Sequence, residues 1–260
     1  MITVGEIAQF LESFAPLELA ADWDNVGLLL GDRAAPVERV MTCLTITPHS
    51  VAEACAARAQ LIVSHHPLPF RPLRTLTTDA TAGRLLWQLA GAGVAVFSPH
   101  TAFDSAADGI NALLASKLQL RHAQPLVPHP TGFGAGRHGE LDQPCQLDEL
   151  ARQVQRSLAI NHLQLVGDPT ASISRVAITC GSAADLIPAA YAAGCQVLLT
   201  GESRFHDCLE AEALGIALLL VGHYASERPG VEHLAAVLAR KYPSIETWAS
   251  RRERDPLRWL

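Results

Sequence analysis

The chain has 260 residues, enough for one large domain or two of ordinary size. Of these, 49% are hydrophobic and 18% charged, a balance that fills a core and leaves apolar surface for partner subunits. The net charge of −6 argues against broad nucleic-acid binding, which needs a dense positive field, but not against a small anionic ligand held by metals.

At the N-terminus Thr3 and Glu6 make a capping-box pattern, and Val4, Ile7, Leu11 and Phe14 follow at helical spacing. The chain is therefore expected to open on a helix. A signal peptide is not expected, because the start is not basic and Glu6 and Glu12 interrupt any apolar run. Asp24 and Asn25 follow Trp23 in a polar turn. They read either as turn chemistry or as residues lining the mouth of a pocket.

Six stretches then read as buried parallel strands: 40–46, 61–64, 94–98, 176–180, 197–200 and 216–221. Alanine-rich helical segments such as 51–59 and 186–193 lie between them. The alternation predicts an α/β fold with helices on the sheet faces. The apolar run 214–221 has eight residues, which suits a buried strand and not a membrane span. Cys43, Cys55, Cys145, Cys180, Cys195 and Cys208 form no C-x-x-C pair and read as reduced core thiols of a cytoplasmic protein.

The two halves resemble each other. ERVMTCLTI (38–46) matches SRVAITCGS (174–182), and AARAQLIVSHH (56–66) matches YAAGCQVLLTGE (191–202). Arg39 and Arg175, and Gln60 and Gln196, share one offset of 136. GVAVFSPHTAFD (93–104) matches GIALLLVGHYASE (215–227) at an offset of 123, so the first half carries extra residues, placed within 67–83. We read an internal duplication that yields two intertwined α/β domains. The first is 1–125 plus 222–260, and the second is 126–221. The segment 125–144, rich in Pro, Gly and His, reads as the connection between the halves.

Chemistry gathers at the strand ends, where α/β folds bind ligands. His65 and His66 follow one strand directly. His100 and Asp104 follow a second, and His223 and Glu227 a third. Imidazoles and carboxylates without cysteine suit Zn, Mn, Fe or Co and disfavour a closed structural zinc site. His49, His122, His129, His162 and His233 have no comparable setting and read as surface or core residues. His138 and His206 are intermediate.

These segments resemble the family of GTP cyclohydrolase 1 type 2 homologues, which includes the bacterial YbgI-like proteins. The matching parts are DWDNVGLLLGD (22–32), IVSHHPLPF (62–70), SPHTAFDSAADGIN (98–111), GRHGEL (136–141), TGESRFHD (200–207) and GHYASERPGVEHLA (222–235). The resemblance covers essentially the whole chain. It implies two divalent metal ions held by His65, His66, Asp104, His223 and Glu227, and a ring-shaped homohexamer. The large domain that some relatives insert between the halves is replaced here by a short linker.

In such a site His100 is a candidate general acid or base, and His206 a weaker one. Glu202, at the strand end matched to His65, is expected to contact substrate or a ligand histidine. Arg137 is open between a phosphate partner and a surface residue. Glu227 is expected to bridge the ions, since a carboxylate offers two oxygens and an imidazole one free nitrogen. Two functions follow: a metal-dependent hydrolase acting on a nucleotide or related heterocycle, or a non-catalytic protein that stores or delivers metal. No P-loop and no G-x-G-x-x-G decides between them.

Overall fold

The computed structural model describes residues 1–258. The chain opens on the helix Val4–Phe14, and the capping box forms: Thr3 Oγ1 accepts the Glu6 N–H (3.3 Å) while Glu6 Oε2 accepts the Thr3 N–H (2.8 Å). Val4, Ile7, Ala8 and Leu11 recur at helical spacing and face the core, where they are buried.

Two compact units are present. The first comprises Met1–Phe103 and Gly230–Pro256. Its five-stranded sheet runs in the order Gly27–Leu30, Ala95–Ser98, Leu61–Ser64, Arg39–Cys43, Glu246–Ala249. Neighbours pair in parallel except at Gly27–Leu30, which is antiparallel. Leu61–Ser64 and Ala95–Ser98 are buried at every position, the pattern of parallel strands covered on both faces. Met41, Ile62 and Val96 pack with Val51, Ala54, Leu85 and Leu89 from the helices Pro48–Ala56 and Thr81–Gly91. Each large apolar side chain buried this way contributes roughly 1.5–3 kcal/mol.

The second unit is built on Asp104–Pro229. Its six-stranded sheet runs Arg121–Gln124, Arg137–Gln146, Ser172–Ile178, Val197–Thr200, Ala217–Leu220, Gln164–Val166. The three strands from Ser172 to Leu220 are mutually parallel and the flanking ones antiparallel. Ala177, Leu198 and Leu218 pack with Ile187, Ala190 and Ala211.

All six expected strands are present. The segment expected as a connection, 125–144, differs: it holds most of the ten-residue strand Arg137–Gln146. Its mix of Arg, His, Gly, Glu and Pro carries no apolar alternation. Pairing is set instead by close backbone packing, and a Cβ at Gly139 would press on the Arg121 carbonyl. The extra residues of the first half lie largely where expected. Sixteen residues (65–80) separate strand from helix there, against four (201–204) in the second unit.

The chain passes from one unit to the other inside two helices, His100–Ser105 and His223–Lys241. Each starts on a histidine and carries a carboxylate four residues on, Asp104 and Glu227, so each pair shares a helix face. Among the described residues no helix is long and apolar enough to cross a membrane.

Candidate metal centre

In the first unit the strand Leu61–Ser64 ends into His65 and His66. Their N–H groups continue the ladder onto Cys43 O (2.9 Å) and Leu44 O (2.8 Å), and Ser98 Oγ donates to His65 O (2.6 Å). The backbone is thus fixed where the two rings project. His100 stands close by: one ring nitrogen each of His65, His66 and His100 lie within 4.8 Å of one another. His65 and His100 are buried.

Two partners orient these rings. Thr45 Oγ1 lies 2.7 Å from His66 Nδ1, and Asp24 Oδ1 lies 2.8 Å from His100 Nδ1. Asp24 also accepts the Asn25 N–H (2.8 Å), the Thr101 N–H (3.1 Å) and the Thr101 hydroxyl (2.5 Å). Burial alone would raise its pKa, but the His100 and Thr101 hydrogen bonds outweigh it and hold the carboxyl at about 2. Asp24 makes the turn, as one of its two readings held, and in addition anchors a histidine, a role that its sequence context did not show. His100 sits at φ +27°, a conformation that side-chain-bearing residues seldom adopt and that strained functional positions favour.

In the second unit His223 lies between two carboxylates. Its Nδ1 is 3.0 Å from Glu202 Oε1 and its Nε2 is 3.0 Å from Glu227 Oε2. The Glu227 hydrogen bond raises the His223 pKa to about 9 against the cost of burial, with Glu202 adding to it. This arrangement favours positive charge on and beside the ring. Glu227 is held in a cradle of small residues. Gly181, at φ +65°, leaves no room for a Cβ, which would collide with Glu227 Oε1. The Gly181 N–H donates to Ser226 Oγ (2.9 Å).

Asp104 is fixed from two sides. Cys180 Sγ donates to its Oδ1 (3.0 Å), and Asn111 Nδ2 donates to its carbonyl (3.0 Å). Asn111 Oδ1 in turn accepts the Cys180 N–H (2.7 Å), which closes the loop. Burial, followed by the charges of Asp104 and Glu227, pushes the Cys180 thiol well above its ordinary pKa. It acts as a protonated donor to a carboxylate. Cys180 is thus more than a core thiol, and its place at a strand end within the repeat is the signal that the sequence carries.

Of the other residues singled out, Glu202 meets a histidine, as one of its two readings held. It stands 136 positions from His66, so the repeat pairs it with His66 and not His65. His206 is exposed on the helix Phe205–Leu214, its ring beside Phe205. Arg137 is not a surface residue. It is buried, and its guanidinium donates to Gly134 O, Gly136 O, Ser105 O and Ala106 O. The last two carbonyls lie at the end of the helix His100–Ser105, where a cation offsets the helix dipole.

The donor chemistry fits divalent metal ions. Neutral imidazoles and carboxylates suit Zn, Mn, Fe or Co. Nδ1 of His66, His100 and His223 each has an oxygen partner, as in metal-bound histidines; at His223 the Nε2 in addition meets Glu227 Oε2 at 3.0 Å, so a metal ion there would take the place of its proton.

Parallel sheets with histidine–carboxylate clusters at their strand ends define a class: α/β proteins able to hold metal ions. The chain belongs to the Duf34/NIF3 (NGG1p interacting factor 3) family, whose sequence pattern matches residues 2–256. It is 32% identical over 233 residues to the GTP cyclohydrolase 1 type 2 homolog of Clostridium acetobutylicum, covering 88% of this chain and 87% of that one. A Helicobacter pylori relative named GTP cyclohydrolase 1 type 2 is 32% identical over 229 residues, 88% of each chain. The crystal structure of Staphylococcus aureus protein SA1388 shares the fold, with a TM-score of 0.91 at 25% identity over 100% of this chain and 99% of that one.

Proposed function

We propose that this protein binds two divalent metal ions through His65, His66, Asp104, His223 and Glu227, with Glu227 bridging them, and hydrolyses a nucleotide or related heterocycle. The observation that carries the reading is the repeated helix start, His100…Asp104 and His223…Glu227, with a carboxylate on Nδ1 of each histidine. The family membership supports it, and the relatives' names give the substrate class. Bound there, the ions would act as Lewis acids and generate a nucleophile from water near neutral pH.

The chain's own groups then have definite tasks. Asp24 binds Nδ1 of His100 and leaves Nε2 to take or give a proton. Glu202 holds His223 from the far side of the ring, a positioning task. Cys180 holds the Asp104 carboxylate and Asn111 its backbone carbonyl. The low charged fraction and the family resemblance support a homo-oligomer, a closed hexamer, which light scattering at micromolar concentration tests.

The deciding experiment loads purified protein with Mn or Zn, counts ions by elemental analysis, and assays turnover on a panel of nucleotides. About two ions per chain are expected. Turnover should be abolished in His100→Ala while the ions are retained. Intact loading with no turnover on any substrate, and ready transfer of the ions to an acceptor, would make the protein a metal handler instead. A saturating ratio near zero would remove both readings.

A further inference from the structure

The C-terminal segment reaches back to one of the clustered histidines. After the strand Glu246–Ala249 the chain is pinned by the buried Glu53 carboxylate. That group accepts hydrogen bonds from Trp248 Nε1 (3.1 Å), Ser250 Oγ (2.7 Å), the Arg251 N–H (2.9 Å) and the Arg252 N–H (3.0 Å). The Glu253 N–H donates to Ser250 Oγ (3.2 Å). This directs the Glu253 carboxylate at the turn after the strand Arg39–Cys43. There Oε2 accepts the Leu44 N–H (2.8 Å) and Oε1 the Thr45 N–H (2.6 Å).

That turn is the one that holds His66. Leu44 O accepts the His66 N–H (2.8 Å), and Thr45 Oγ1 lies 2.7 Å from His66 Nδ1. Two adjacent residues thus fix both the backbone and the ring of His66, and a single carboxylate from the far end of the sequence fixes those two residues. Hydrogen bonds to an ionised acceptor are about twice as strong as neutral ones, so the turn is held firmly.

We infer that Thr45 and Glu253 are positioning residues for His66: Thr45 Oγ1 accepts a hydrogen bond from His66 Nδ1–H and so leaves the Nε2 lone pair for a metal ion, while Glu253 holds Thr45 in place. The metal part of this inference rests on His66 being a ligand, as proposed above. The tautomer part does not. In a neutral imidazole one nitrogen carries the proton and the other the lone pair. A hydroxyl that accepts at Nδ1 therefore selects the tautomer competent at Nε2. Partners of this kind on ligand histidines change metal affinity by roughly 10–100-fold when removed.

The test has two arms. Long-range 1H–15N NMR of the metal-free protein reads the His66 tautomer directly. The expected result is Nδ1–H in the wild type and a shift toward Nε2–H in Thr45→Val, with Thr45→Ser restoring the wild-type signal. Calorimetric titration with Co(II) reads the ligand role. Thr45→Val should weaken one Co(II) by roughly tenfold or more and spare the other, Thr45→Ser should recover most of the loss, and Glu253→Gln should lie between. A wild-type His66 in the Nε2–H form overturns the inference, as does Thr45→Val binding Co(II) like the wild type. If the wild type bound no Co(II) at all, the metal reading would fall and the tautomer arm would still decide the role of Thr45. That wild-type measurement also stands should Thr45→Val fail to fold.

Discussion

Gln60 and Gln196, 136 positions apart, make the same contacts in the two units. Gln60 Oε1 accepts the N–H groups of Glu38 (3.0 Å) and Arg39 (2.9 Å), and Gln196 Oε1 accepts those of Ser174 (3.2 Å) and Arg175 (2.8 Å). Their backbones correspond too: Gln60 N–H donates to Arg39 O and Gln196 N–H to Arg175 O. Each amide closes the start of a parallel strand and sets its register. The shared offset thus has a physical content, and it supports the proposed duplication. Replacing either residue by Leu should cost about 1 kcal/mol, because the stranded N–H groups lie near solvent and regain water. Urea unfolding of Gln60→Leu and Gln196→Leu checks this. Widely unequal costs would mean that the two amides do different work.

Glu53 should make stability depend on acid. Its carboxylate is buried, which by itself raises the pKa. The hydrogen bonds from the Arg251 and Arg252 N–H groups, Ser250 and Trp248 more than reverse this and leave the pKa below its ordinary value. A carboxyl whose pKa is lowered on folding stabilises the fold above its unfolded pKa, and that stability is lost as pH falls through the folded value. Glu53→Gln keeps the shape and removes the charge, and should cost about 2–3 kcal/mol at pH 7. The wild type should lose stability as pH falls below the ordinary carboxylate value toward the lower folded one, and the variant should lose less over that window. Parallel pH curves for the two proteins would show that Glu53 is not the group responsible.

The parallel strands and the histidine pair were legible in the sequence because they are local. Leu61–Ser64 is an uninterrupted apolar run, and His65 and His66 follow it directly. The capping box of Thr3 and Glu6 spans three residues and is legible for the same reason. The strand Arg137–Gln146 was not, since its pairing answers to backbone packing at Gly139 and not to a hydrophobic period. The groups that orient the histidines escaped for another reason. Asp24 and His100 are 76 positions apart, and Thr45 and Glu253 are 208 apart, so no local pattern joins them. Only the fold brings them within hydrogen-bond distance. Cys180 reads as a core cysteine because its surroundings in sequence are apolar, and the carboxylate it meets comes from residue 104.

Arg137 illustrates the same lesson energetically. A buried guanidinium serving four carbonyls is a structural part, and no smaller cation replaces its fork. Arg137→Lys should cost about 2 kcal/mol and Arg137→Met about 3 kcal/mol, since each leaves buried carbonyls without donors. Thermal unfolding followed by circular dichroism measures both. If Arg137→Met were as stable as the wild type, the guanidinium would have no structural task and its burial would need another cause.

Gly181 and Gly194 both adopt left-handed backbone conformations, at φ +65° and +71°. They differ in what a methyl group would meet. At Gly194 nothing lies within 4 Å, whereas at Gly181 the methyl would collide with Glu227 Oε1. Either glycine replaced by alanine pays about 1–2 kcal/mol for the left-handed conformation. Gly181→Ala must in addition push the carboxylate from its place beside His223, where Oε2 now lies 3.0 Å from Nε2. If Glu227 bridges two ions as proposed, Gly181→Ala should weaken binding of both, while Gly194→Ala should bind metal like the wild type despite a similar loss of stability. Parallel Co(II) titrations and thermal melts of the two variants separate strain from displacement. Equal metal binding in both variants would show that the position of Glu227 does not govern the ions.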